Sequence, residues 1–203
     1  MTDSEISEIG SDTGSGSDIA SRRSSMSGPS DVITNEEFYT EAEESLARAF
    51  QEKHSIDDAA IELKTLRMAT NVTFHEVRKA IVIALMNVAM TSPGDVGPTF
   101  TKWGKLLLRF MEDEDSQMDI LLTAQRLFAR KLCEGAVERR TFVVGLQALY
   151  QADVLEEDKI FEWFNDDTSK GVGEALGEDM ANLRKAAEKF VTWLQEAEEE
   201  SDD

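Results

Sequence analysis

The side chains with the greatest chemical reach in this chain are carboxylates set among aromatic rings. Residues 153–203 hold 17 of the chain's 41 carboxylates and five of its 21 Lys and Arg, so this segment carries −12 of a net −20. The acids alternate with large rings in two blocks, 149–164 and 190–200. The first contains Tyr150, Asp153, Glu156, Glu157, Trp163 and Phe164; the second contains Trp193, Leu194, Glu196, Glu198, Glu199 and Glu200. Rings beside a dense acidic field suit a Lys-rich peptide. The ring supplies packing and cation–π contact, and the carboxylates supply attraction and steering.

Other groups offer little reaction chemistry. His54 and His75 stand 21 residues apart, each without a second histidine or a cysteine nearby, and His75 sits where a helix begins, which suits a surface or capping role. Cys133 is the single cysteine, so no internal disulfide forms and a reducing, cytoplasmic compartment fits; its setting reads as that of a small buried hydrophobe. No metal-binding Cys or His pair is present, no glycine-rich phosphate loop follows a strand, and no cofactor motif occurs. Paired acids such as Glu43-Glu44, Glu156-Glu157 and Asp166-Asp167 read as solvated helix faces. Covalent catalysis on a small substrate is therefore disfavoured, and so are nucleic acid and anionic membrane as partners, because both need positive charge. No apolar run of 18 residues exists to span a bilayer.

The elements that must position these groups read as helices. Residues 1–33 contain ten Ser, four Gly and no aromatic, and are expected to be a disordered linker. Within it, Arg22-Arg23-Ser24-Ser25 offers a basic site next to serine, a candidate for phosphorylation on a solvated linker. From Thr34 the apolar period is helical, and Thr34 with Glu37 forms a capping box. Helices are predicted near 34–53, 55–69, 73–90, 100–111, 117–133, 137–152, 156–166 and 178–199. Pro93-Gly94 and Gly97-Pro98 mark a loop. Eight helices with short connections predict an all-α solenoid of stacked hairpins over 34–203.

The join of the second and third helices carries one more candidate. If Leu63 and Leu66 face inward, Glu62 lies about 100° round from Leu63, at the edge of the buried face. Taken alone, the pattern pairs it with Lys64 or Arg67 on its own helix.

The segment from Ile61 to Arg78, taken with the ending from Trp193 to Asp203, resembles the C-terminal domain of the epsilon subunit of eukaryotic translation initiation factor 2B. The resemblance covers about 34–203. It implies a stack of HEAT-like hairpins and guanine nucleotide exchange on translation initiation factor 2, by GDP release from its gamma subunit. It implies that the two aromatic/acidic blocks grip the Lys-rich N-terminal arm of the beta subunit. It assigns the exchange role to Glu62, here preceded by Ile61 where the family carries Leu. It marks Ser45 and Ala69 as positions that affect activity, read here as supporting packing. The family's nucleotidyltransferase-like domain and β-helix have no counterpart in this chain, so contacts with the other 2B subunits are expected through parts outside it. Ser201, in the acidic ending, is a further candidate for phosphorylation. Two other readings stay open: a non-catalytic binding module of the initiation factor 5 kind, and a plain solenoid scaffold whose acids only solvate it.

Overall fold

A computed structural model describes residues 29–201, with side chains over 35–197. The expected 1–33 linker, with its Arg22-Arg23-Ser24-Ser25 site, lies outside the described residues as far as position 28. So do the side chains of Thr34, Glu198, Glu199, Glu200 and Ser201.

Among the described residues there are eight α-helices: α1 (Pro29–Glu52), α2 (Ile56–Thr70), α3 (Phe74–Thr91), α4 (Val96–Trp103), α5 (Asp115–Cys133), α6 (Arg139–Gln151), α7 (Glu157–Asn165) and α8 (Gly177–Ser201). Among the described residues there is no strand. The odd-numbered helices pack in sequence, α1 on α3, α3 on α5 and α5 on α7. The even-numbered ones form the second layer, with α4 on α6 and α6 on α8, while α2 rests on α1 and on the 3-10 segment Gly104–Phe110. This two-layer stack is the HEAT-like arrangement the helix lengths predict.

Helix ends follow local chemistry. Ser55 Oγ accepts from the Asp58 amide at 3.0 Å to open α2, and Thr73 accepts from the Glu76 amide at 3.4 Å to open α3. Asn71, in the left-handed region at φ 55°, stops α2. The expected cap at Thr34 is not where α1 begins. The helix starts at Pro29, five residues earlier, with proline in the first position where its missing N–H costs nothing.

The fourth helix also differs from the sequence reading. It begins at Val96, so Gly97 and Pro98 lie in its first turn instead of a loop, and at Gly104 it tightens into the 3-10 segment. The cause is close packing of α6. A Cβ at Gly104 would stand 2.5 Å from Leu149 Cδ2, and one at Gly145 would stand 2.7 Å from Phe100 Cε1. Two glycines on facing helices let the backbones approach where a side chain would hold them apart.

Phe38, Leu46, Leu63, Ile81, Leu106, Phe110, Ile120, Phe128, Ile160, Trp163 and Leu183 form the inner face of the stack. Cys133 is not part of it: it is exposed at the last residue of α5, past the end of that helix's apolar stripe. His75 does not cap; its Nδ1 lies 2.7 Å from Asp119 Oδ1, and the buried Arg78 holds the same carboxylate through Nη2 at 2.7 Å. His54 Nε2 lies 2.9 Å from Glu52.

Candidate functional site

Two surfaces emerge, at opposite ends of the stack. The first is built on the α1–α2 hairpin. Ala59, Ala60 and Leu63 bury one side of α2, which turns Ile61, Thr65, Met68 and Ala69 outward and leaves Glu62 at the edge facing α1. There Ser45 Oγ donates to Glu62 Oε2, and Arg48 Nη2 donates to the same oxygen at 3.1 Å. The Glu62 carboxyl is held below the usual carboxylate range, first by the Ser45 hydroxyl and then by Arg48, against the opposing effect of partial burial. An open groove of about 290 Å³ runs along this edge, lined by Glu41, Glu44, Ser45, Arg48, Glu62 and Leu66 among others.

The structure thus moves the partner of Glu62 from its own helix to the neighbouring one. Arg67 instead turns inward and stacks on the Phe74 ring at 3.9 Å, and Lys64 makes no ion pair among the described residues. Ser45 is 5% exposed, as a packing residue would be, and its hydroxyl also touches the Glu62 carboxylate directly. Ala69 is exposed on the outer face of α2, which removes the packing role expected for it. Two further residues escaped the sequence reading: Ile61 is 62% and Met68 76% exposed, an open apolar strip beside Glu62. The signal was present, since i and i+7 share a helix face, but only the packed partner shows which face is left open.

The second surface joins the two aromatic/acidic blocks. Tyr150 lies in the last turn of α6, and its ring meets Phe190 of α8 edge-on with centroids 5.9 Å apart. Phe190 in turn stacks on Trp193 at 6.1 Å and 19°. The ladder Tyr150–Phe190–Trp193 therefore runs from one block into the other across the α6–α8 contact. Trp193 is 54% exposed, so its ring is an open face. The Tyr150 hydroxyl donates to Glu157, which pushes the phenol pKa up and fixes the carboxylate on the ring's edge. Asp153, Glu156, Asp158 and Glu196 are exposed around it. An open groove of about 630 Å³ is bounded by Tyr150, Gln151, Asp153, Leu155, Glu156, Glu157 and Asp158.

A strained turn sets that groove. Asp153 has φ 58°, its amide donates to Tyr150 O at 3.0 Å, and the Val154 amide donates to Leu149 O at 3.0 Å. This is a Schellman ending with aspartate where glycine is the favoured residue. The Glu156 amide then donates to the Gln117 side chain at 2.8 Å, which fixes the entry to α7.

Three of the expected contact residues face elsewhere. Trp163 is fully buried and its indole N–H donates to Gln125 Oε1 at 2.9 Å. Leu194 is fully buried under α8. The Phe164 ring is already covered by the Arg184 guanidinium at 3.9 Å. An amphipathic helix must bury one stripe, and these positions lie on it; they hold the acidic face in place and are not open to a peptide. Glu198, Glu199 and Glu200 continue α8, with their side chains outside the described residues. Among the described residues no three His, Cys, Asp or Glu side chains gather to hold a metal, and no helix is long and apolar enough to cross a membrane.

Comparison with known proteins fits this geometry. Residues 116–203 match the W2 family model, described as eIF4-gamma/eIF5/eIF2-epsilon. Over its whole length it is similar to translation initiation factor eIF2B subunit epsilon of Schizosaccharomyces pombe, 39% identical over 211 residues, which is 30% of that protein. It is similar to the same subunit of Dictyostelium discoideum, 26% identical over 178 residues, 81% of this chain and 24% of the relative. Eukaryotic translation initiation factor 5 of Zea mays is 39% identical over 116 residues, 54% of this chain and 24% of that protein. The chain thus spans less than a third of the length of these relatives. The W2 segment contains the acidic face but stops short of Glu62, whereas the whole-length similarity to the epsilon subunit includes the α1–α2 hairpin.

Proposed function

We propose that this chain acts in translation initiation as a guanine nucleotide exchange domain. It promotes GDP release from the gamma subunit of initiation factor 2 through Glu62, while the acidic face grips the Lys-rich arm of the beta subunit. The observation that carries this reading is the separation of two surfaces of different chemistry. One end presents a single ionised, oriented carboxylate beside an open apolar strip. The other presents an aromatic ladder in a field of acids.

The first end suits a trigger. An exchange factor accelerates release only by binding the nucleotide-free GTPase better than the loaded one. A carboxylate at the phosphate site does this in either of two ways: it pairs with the phosphate-binding lysine that otherwise holds GDP, or it repels the β-phosphate. Ile61 and Met68 supply apolar area to seat the GTPase around it. The second end suits a tether: Trp193 and Tyr150 offer ring surfaces, and Asp153, Glu156, Glu157 and Glu196 attract lysines, raising the local concentration of the GTPase at Glu62. No covalent bond is made or broken. Contacts with the other subunits of the 2B complex belong to parts of the longer protein outside this chain.

A binding module of the initiation factor 5 kind is the second reading, favoured by the match of the W2 segment to that group. The two part at Glu62. GDP release from initiation factor 2 is measured with the chain and with Glu62→Ala, alongside capture by a Lys-rich arm peptide. The exchange reading expects acceleration that Glu62→Ala abolishes while capture survives. Capture by both without acceleration by either would leave a tethering module.

A further inference from the structure

The Glu62 carboxylate is held asymmetrically. Ser45 and Arg48 both donate to Oε2, while Oε1 accepts no hydrogen bond among the described residues. The side chain is 37% exposed and forms part of the wall of the α1–α2 groove, so one oxygen is clamped and the other stays available. Arg48 is itself 52% exposed and, among the described residues, makes no other ion pair. Beyond Arg48, His54 acts on this carboxylate through charge alone, with no hydrogen bond or ion pair between them among the described residues, and Arg67 is turned onto Phe74.

A free glutamate samples several rotamers, and the fraction aimed at a partner is small. Two donors from the facing helix, one neutral and one charged, select a single orientation before any partner arrives. The Ser45 hydroxyl and then Arg48 also favour the ionised form, in a groove that Glu41 and Glu44 line as well.

We infer that Arg48 is a positioning residue for Glu62, clamping one carboxylate oxygen so that the other is presented to the incoming partner. The inference rests on the exchange reading above for what Glu62 does, but the clamp itself is observable without it. Arg48→Gln removes the charge and, being two atoms shorter than arginine, withdraws the donor; Arg48→Lys keeps the charge and most of the reach and loses the planar fork. The first readout is the titration of Glu62, followed by carboxyl-carbon NMR on the intact chain. It moves upward in Arg48→Gln and returns most of the way in Arg48→Lys. The second is GDP release from initiation factor 2, with kcat and KM separated. Because an exposed ion pair biases a conformational equilibrium modestly, kcat falls about twofold to fivefold in Arg48→Gln with KM little changed, and Arg48→Lys recovers part of it.

An unmoved Glu62 titration overturns the clamp. A moved titration with wild-type kcat, while Glu62→Ala is inactive, overturns the positioning role and leaves an idle surface pair. Faster exchange by Arg48→Gln also overturns it, by showing that the arginine competes with the partner for the carboxylate. If Glu62→Ala itself exchanges normally, the exchange reading fails first, recognisable because the NMR shift in Arg48→Gln persists.

Discussion

Gln125 is the single side chain on which the placement of the acidic face depends most. It is fully buried, and its amide nitrogen donates to Ser169 O and Met180 O, both at 2.8 Å, while its oxygen accepts from the Trp163 indole at 2.9 Å. One residue of α5 thereby ties α7, the following loop and the start of α8. Gln125→Leu keeps the approximate volume and removes all three bonds. Met180 O lies within α8 and retains its helical partner, but the indole N–H and Ser169 O are left buried and unpaired. Each such orphan costs about 1–3 kcal/mol, offset in part by the apolar side chain gained, so the expected loss is about 3 kcal/mol. The assay is urea unfolding at constant slope, in which the midpoint reports the change. Gln125→Leu with Trp163→Phe removes the indole orphan, so the pair should cost about 1–2 kcal/mol less than the sum of the singles. A loss below about 1 kcal/mol, or strict additivity of the two changes, refutes the reasoning, since either result means the three bonds do not act as one buried unit.

Four more outcomes follow from the same geometry. Trp193→Ala, at an exposed ring, leaves stability nearly unchanged and weakens Lys-rich peptide binding about twofold to fivefold by titration, whereas Trp163→Ala costs about 3–5 kcal/mol of folding stability through the cavity it opens. Asp153→Gly relieves the left-handed turn and stabilises the chain by about 0.5–1 kcal/mol in urea, yet weakens the same peptide, a trade in opposite directions at one residue. Gly145→Ala forces a methyl group onto the Phe100 ring and lowers the thermal midpoint, despite the better helix propensity of alanine. The folded pKa of Glu62 is depressed, so its contribution to stability is present above the unfolded value of about 4.3 and lost as pH falls through the folded value; the stability gap between the wild type and Glu62→Gln should close on acidification, measured by urea midpoints across the acid limb.

Much of the helical layout was legible in order and type because amphipathic period is a local property. Leu63 and Ala60 inward on α2, and Val77, Ile81 and Leu85 inward on α3, follow from spacing alone, and they are buried as the spacing requires. Ends were less legible. Thr34 offers a cap, but the chain ahead of it continues the helix to Pro29; Gly97-Pro98 looks like a turn, but both residues fit a first helical turn. The aromatic blocks were legible as composition and only partly as surface. Trp163 and Trp193 have equally acidic neighbours, yet one is in the core and the other is open, because each is fixed by the register of its own helix against the next layer.

Sequence by itself determined the class of the fold and the negative field with its rings, since helical period, charge and ring content are carried by neighbouring residues. The tertiary structure decided which groups act together. Glu62 finds its partners 17 and 14 residues back on α1, and Tyr150 meets Phe190 across the α6–α8 contact. Such pairings depend on how one helix face seats in another, and no local pattern encodes that register.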